Sequence, residues 1–421
     1  MEKEIKYGNR WGYLAKGFVM TLFLGILYAW SIFVLPLEEA FGWTRVETTW
    51  TYTIMMVGFG FGQLTGAYWG NKFGQVRAIT LWGIVLTLGF FVTSFADSLV
   101  WLYVSYGAVC GYALGVALNN TLALAPRWFP DKSGLALGAM TMGFGLASLV
   151  LGSFANFLIA ELGYQWAFKA LSALCLIMVV GMSLFQKAPP MGYVPTGYVP
   201  PTNESSDIST GYTRAQMLKT PQFWAMYGWN LANHLAGFMV ISLIAPYGVS
   251  LGMAAALAAV AMGLFGFFNG LGRPTIGALA DKIGRKMSMI LDNILMAIGL
   301  LCIAFLPTII DPFVGTVIGA AIVGLSFGGS ISIGMSVMRS YYGVKYVGAN
   351  MGMMATVDIP TGIIGPMLAA FIFAVFGSYF WAFIIAAVIL VVTLFLPVLI
   401  GKPIPVAVRF PEKTEEANTL V

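Results

Sequence analysis

What most constrains this chain is a succession of apolar runs, each about 20 residues or longer, separated by short polar breaks. Twenty residues of helix rise about 30 Å, the thickness of a hydrocarbon core. A backbone inside lipid must satisfy its own hydrogen bonds, so runs of this length are helices. Twelve are expected, at 11–36, 46–70, 78–96, 99–125, 133–160, 166–186, 222–247, 253–280, 286–307, 313–337, 347–375 and 379–400. The expected class is an all-α membrane protein with twelve transmembrane helices. Only 9% of residues are charged, against roughly a quarter in soluble proteins. MEKEIKYGNR leads straight into the first run without a small-residue cleavage site, so no cleaved signal peptide is expected.

One long polar stretch, rich in Pro, Ser, Thr and Tyr, separates the sixth run from the seventh. It reads as a linker. The expected organisation is an N-terminal six-helix bundle (1–186), a cytoplasmic linker (187–221), a C-terminal six-helix bundle (222–400) and a cytoplasmic tail (401–421). The basic residues set the orientation. With both ends inside, only Arg45 lies in an outer loop, and Lys16, Lys169 and Arg273 lie within helices. The net charge of +5 is therefore a membrane-edge signal and implies no nucleic acid. Cys110, Cys175 and Cys302 sit in apolar runs and read as small core residues. No metal or cofactor site emerges from them.

The halves repeat. FGQLTGAYWGNKFGQ after helix 2 aligns without a gap to LGRPTIGALADKIGR after helix 8, at an offset of 210. Gly62 matches Gly272, Thr65 matches Thr275, and Gly74 matches Gly284. SGLALGAMT in helix 5 corresponds to VGANMGMMA in helix 11. A duplicated six-helix half is the architecture of transporters that rock two bundles about a central site.

GALADKIGRK resembles the cytoplasmic loop motif of the major facilitator superfamily. The resemblance implies that fold and a cytoplasmic gate built on Gly277, Asp281, Gly284 and Arg285. Within the superfamily the chain resembles the oxalate:formate antiporter and monocarboxylate transporter branch. GILYAWSIFVLPLEEAFGW, RWFPDKSGLALG and NGLGRPTIG carry that likeness. It implies a small carboxylate substrate.

Charges inside the membrane are the candidate site. Arg273 lies eight residues before Asp281, so it sits roughly 12 Å deep. An arginine there costs at least about 2.5–3.5 kcal/mol, so it should face a watery cavity or a partner. Its planar fork suits a carboxylate, and related families place a substrate-binding arginine here. Its repeat mate is Gln63. Asp358 in helix 11 shares its depth and stands where the oxalate:formate pattern has a lysine. It reads either as a proton-coupling group or as a permanent salt-bridge partner of Arg273. His234, the only histidine, reads either as a proton relay or as a hydrogen-bonded neutral side chain; Asn230 lies one turn earlier. Asn269 stands where monocarboxylate transporters often place a carboxylate. Tyr28 and Ser31 share a helix face, and Asn119 and Asn120 interrupt an apolar run. Tyr28, Asn119 and Asn120 are candidates for substrate contact, with helix–helix hydrogen bonding as the alternative for the asparagines. The aromatic pair of oxalate carriers maps to Phe327 and Ile331, a pocket for an aliphatic tail. Asp292 reads as a latch residue near the cytoplasmic edge.

The expected function is proton-coupled symport of small monocarboxylates (lactate, pyruvate, formate or acetate) by a monomer in the inner membrane. Oxalate:formate-type exchange is the alternative. An enzyme lacks its groups here, since one histidine and three scattered cysteines form no nucleophile–base or metal cluster. A receptor would need a larger soluble output domain, and drug efflux would not require a mid-membrane arginine.

Overall fold

The computed structural model describes residues 9–190, 193–195, 211–343 and 345–401. Much of the expected linker and nearly all of the expected tail lie outside these residues, as do the side chains of Tyr28, Ser31 and Asp281. Among the described residues, twelve long helices follow one another. The first, α1, runs Arg10–Leu27 and continues after a 48° bend as Ile32–Phe41. Then come α2 (Arg45–Phe73), α3 (Gln75–Thr93), α4 (Leu99–Trp128), α5 (Leu135–Leu162) and α6 (Tyr164–Leu184). The second half holds α7 (Pro221–Ser250), α8 (Ala255–Ile283), α9 (Arg285–Ile309), α10 (Pro312–Tyr342), α11 (Val347–Phe376) and α12 (Phe380–Leu399). A one-turn helix, Arg214–Leu218, precedes α7.

Local chemistry sets the ends. Thr44 and Glu47 form a capping box at the start of α2. Thr220 and Asp311 cap α7 and α10, each followed by proline at the first helical position. Gly74 and Gly284 take φ of 86° and 82° at the sharp turns after α2 and α8. A side chain would strain that left-handed backbone. The repeat thus reappears as the same turn built on the same residue.

The straight first helix expected over 11–36 is bent in the structure. A 3₁₀ turn, Gly25–Ala29, interrupts it. A methyl group at Gly25 would collide with the Phe144 carbonyl and Ala147, so the missing side chain lets α5 press against the α1 backbone at the bend. Several other helices run a few residues further than the apolar runs do, because their last turns are polar or basic.

Two six-helix bundles result. In the first, α4 packs on α2 and α3, and α5 on α1; in the second, α10 packs on α8 and α9, and α12 on α9. The packing itself is duplicated. Gly62 lies against the Tyr112 carbonyl of α4, and its mate Gly272 lies against the Leu325 carbonyl of α10. Thr65 donates back to the Phe61 carbonyl and Thr275 to the Leu271 carbonyl, both at 2.8 Å. Contacts between the bundles run along α5–α8 and α2–α11. The short connections after α2, α4, α8 and α10 share one end of the molecule with the basic residues, here called the basic end.

Candidate functional site

Two glycines bring the bundles together. Gly138 of α5 lies against the backbone of Arg273 and Pro274 in α8. Its repeat counterpart, Gly352 of α11, lies against the backbone of Gln63 in α2. Gln63 is in turn the repeat mate of Arg273. Each cross-bundle contact therefore mounts one of this matched pair of side chains, and both enter the same central cavity.

The cavity offers about 100 Å³ of water-accessible space between the bundles. The first bundle lines it with Phe59, Gln63, Asn119, Thr141 and Phe144. The second supplies Asn230, His234, Phe238, Arg273, Phe327, Ile331 and Asp358. Among the described residues, Arg273 and Asp358, with His234, are its charged or titratable lining groups.

Arg273 is 2% exposed. Asn269, one helical turn earlier, accepts from its Nε at 3.2 Å and from its Nη2 at 3.1 Å. Two bonds from one acceptor hold the guanidinium plane. Its Cζ lies 5.7 Å from the centre of the Phe144 ring on the opposite bundle, within cation–π range. The arrangement desolvates a cation on one side and opens it to the cavity on the other.

The second polar centre joins α7 to α11. His234 Nδ1 lies 2.5 Å from Asp358 Oδ1. The partner of Asp358 is thus the histidine, which does not match the Arg273–Asp358 salt bridge weighed from shared depth. Depth along a helix says nothing about azimuth, and α11 turns Asp358 toward α7. The Phe327 ring meets the imidazole edge-on at 5.4 Å, and the histidine itself is 5% exposed. One side chain therefore touches both the apolar wall and the ionisable pair.

A family model of the Major Facilitator Superfamily matches residues 17–233 and again 226–421, one copy for each half. The chain is a member of the major facilitator superfamily. The branch resemblance also stands. The oxalate:formate antiporter of Oxalobacter formigenes is 28% identical over 390 residues, covering 90% of this chain and 89% of that protein. Human monocarboxylate transporter 2 is 24% identical over 426 residues, covering 96% of this chain and 88% of that one. The fold matches the crystal structure of the facilitator FucP in the outward conformation. That match has a TM-score of 0.69 at 12% identity and covers 93% of this chain and all of the other.

This facilitator distributes the remaining expected site residues unevenly. Asn119 and Phe327 line the cavity, and Asn119 Nδ2 also donates to the Gly348 carbonyl of α11 at 3.4 Å. Asn120 faces away from it. Its Nδ2 donates to the Gly66 and Val116 carbonyls at 2.9 Å each and joins α4 to α2. Neighbouring residues on a helix point about 100° apart, so one asparagine meets the cavity and the other a helix. Asn269 reaches the cavity only through Arg273. Asp292 is buried against Ser326 of α10, whose hydroxyl donates to its Oδ1 at 3.0 Å. Of the residues expected to form the gate, Gly277 is buried within α8, Gly284 makes the α8–α9 turn and Arg285 opens α9. Phe144, Thr141 and Asn230 line the cavity in addition to the residues expected from the sequence. Asn230 carried a usable signal, since it sits four residues before His234 on the same face; Phe144 carried none.

At the basic end further bonds cross between bundles. Arg214, on the short helix before α7, donates from Nη2 to the Leu64 carbonyl of α2 at 2.8 Å. Its Nε donates to the Ala349 carbonyl of α11 at 3.3 Å. Arg339 Nη2 donates to the Pro130 carbonyl at 3.5 Å.

Proposed function

We propose that this facilitator carries a small monocarboxylate together with a proton by alternating access. The observation that carries the reading is one cavity holding both Arg273 and the His234–Asp358 pair. Arg273 is a fixed positive charge whose fork matches a carboxylate. The His–Asp pair is neutral overall when it holds one extra proton and carries a single negative charge when it does not. Arrival of an anion at Arg273 and of a proton at the pair leaves the loaded site with the same charge as the empty one. Crossing then avoids work against the membrane potential, about 2.3 kcal/mol per charge per 100 mV.

The cavity supports a small substrate. Phe144, Phe238, Phe327 and Ile331 leave room for a short aliphatic tail beside the cation. A single carboxylate fits better than a dicarboxylate, because Asp358 would repel the second charge. The relatives named for oxalate:formate exchange and for monocarboxylates favour carboxylate transport as a class. Basic residues gathered at one end favour an orientation with that end and both termini in the cytoplasm. The gate motif and the Arg214 and Arg339 bonds then close the cytoplasmic side. The protein acts as a monomer in the inner membrane, and each bundle contributes to its one site.

The test is uptake of labelled lactate, pyruvate, formate and acetate into proteoliposomes without internal anion. An acid exterior should drive accumulation. Uptake found only in anion-loaded vesicles, with no response to a pH gradient, refutes symport and favours exchange.

A further inference from the structure

Two buried polar atoms of α7 in this cavity have no hydrogen-bond partner among the described residues. One is His234 Nε2, on the far side of the ring from Asp358, and the other is Asn230 Oδ1. Both residues line the cavity, both are 5% exposed, and they lie one helical turn apart. Asn230 Oδ1 faces Gly334 of α10, where a β-carbon would sit 3.9 Å away. Buried polar groups are almost always paired, and an unpaired one penalises any state that leaves it so.

We propose that these two atoms select a 2-hydroxy monocarboxylate, with the hydroxyl held between His234 and Asn230 while Arg273 holds the carboxylate. The inference rests on the carboxylate reading of the same cavity and narrows it. Asp358 against Nδ1 holds the ring so that Nε2 points away from the pair. With the pair unprotonated, Nε2 is a bare acceptor, and the hydroxyl donates to it. With the extra proton on the ring, Nε2–H donates to the hydroxyl oxygen, and the hydroxyl hydrogen goes to Asn230 Oδ1. A hydroxyl both donates and accepts, so it pairs Nε2 in either protonation state and satisfies both atoms when the extra proton is on the ring. A keto oxygen only accepts and leaves Asn230 Oδ1 unpaired. A methylene does neither. A site built around a hydroxyl rejects the analogue lacking it more strongly than a greasy pocket rejects an added one.

The experiment is competition in exchange mode, at one pH on both sides of the proteoliposome, so that proton driving plays no part. Matched pairs isolate the hydroxyl: lactate against propionate, glycolate against acetate, with pyruvate as the keto member. Wild type should prefer each hydroxy acid over its deoxy partner by about 10- to 100-fold, with pyruvate between lactate and propionate. Asn230→Ala and His234→Phe should each bring the lactate-to-propionate ratio toward one, chiefly by weakening lactate. Thr275→Ala, whose hydroxyl bonds back to its own helix outside the cavity, should leave the ratio intact. Equal competition by lactate and propionate in wild type overturns the inference while carboxylate transport stands. An undiminished ratio in both α7 variants overturns it too. Failure of every carboxylate to compete or exchange overturns this inference together with the reading beneath it.

Discussion

Replacing Arg273 by lysine keeps the charge and removes the fork. In the native site Asn269 Oδ1 accepts from both Nε and Nη2, at 3.2 and 3.1 Å. An ammonium is a single point at the end of a flexible stem and cannot reproduce that two-point hold. It also loses paired N–H bonds to a carboxylate, of which one charge-assisted bond contributes about 1.5–3 kcal/mol. Weaker seating against Phe144 adds about 0.5–1 kcal/mol. The sum, about 2–4 kcal/mol, predicts a rise in KM or apparent Kd of about 30- to 1,000-fold. The assay is concentration-dependent uptake of a labelled carboxylate into proteoliposomes, normalised to protein inserted. Asn269→Ala should weaken affinity in the same direction by a smaller factor, because the charge and the fork remain and only their aim is lost. Transport by Arg273→Lys with KM within threefold of wild type would refute the anchor role.

Asp358→Asn should retain anion exchange and lose proton-driven accumulation. An unaccompanied monoanion then meets about 2.3 kcal/mol at an interior of −100 mV, roughly 50-fold against uptake, and intact accumulation by the variant would reduce Asp358 to a structural partner of His234. Arg214→Ala should loosen the basic end. It deletes bonds to carbonyls on both bundles at a half-buried site, on the order of 1 kcal/mol or about fivefold in the open-to-closed ratio. A cysteine placed at Ala123 should react correspondingly faster with an impermeant thiol reagent applied from that end. Unchanged labelling would show that Arg214 does not hold the closure.

Much of the architecture was readable because lipid leaves few options. Run length demanded helices, and the gapless match of Gly62 with Gly272 and Gly74 with Gly284 announced two equivalent bundles. The structure reproduces the match down to the Thr65 and Thr275 back-bonds. Arg273 was readable for the same reason, since a deep cation is costly enough to need a purpose. Direction around a helix was harder. Asp358 and Arg273 share a depth, yet the carboxylate turns to His234. Asn119 and Asn120 are adjacent, yet only one lines the cavity. Phe144 is one aromatic among 31 phenylalanines, and its place over Arg273 depends on how α5 leans on α8. The 48° bend in α1 likewise falls where Gly25 meets the α5 backbone, a contact that the apolar run alone does not reveal.

The glycines at 138 and 352 have a mechanical meaning. A rocking body moves least near the points where its two parts bear on each other. Those points lie on the backbone of Arg273 and on that of its counterpart Gln63. On the proposed reading the anion at Arg273 is held close to the fulcrum, where a swing that opens one face and shuts the other displaces it little. What travels is the barrier, passing from one side of a nearly stationary guest to the other.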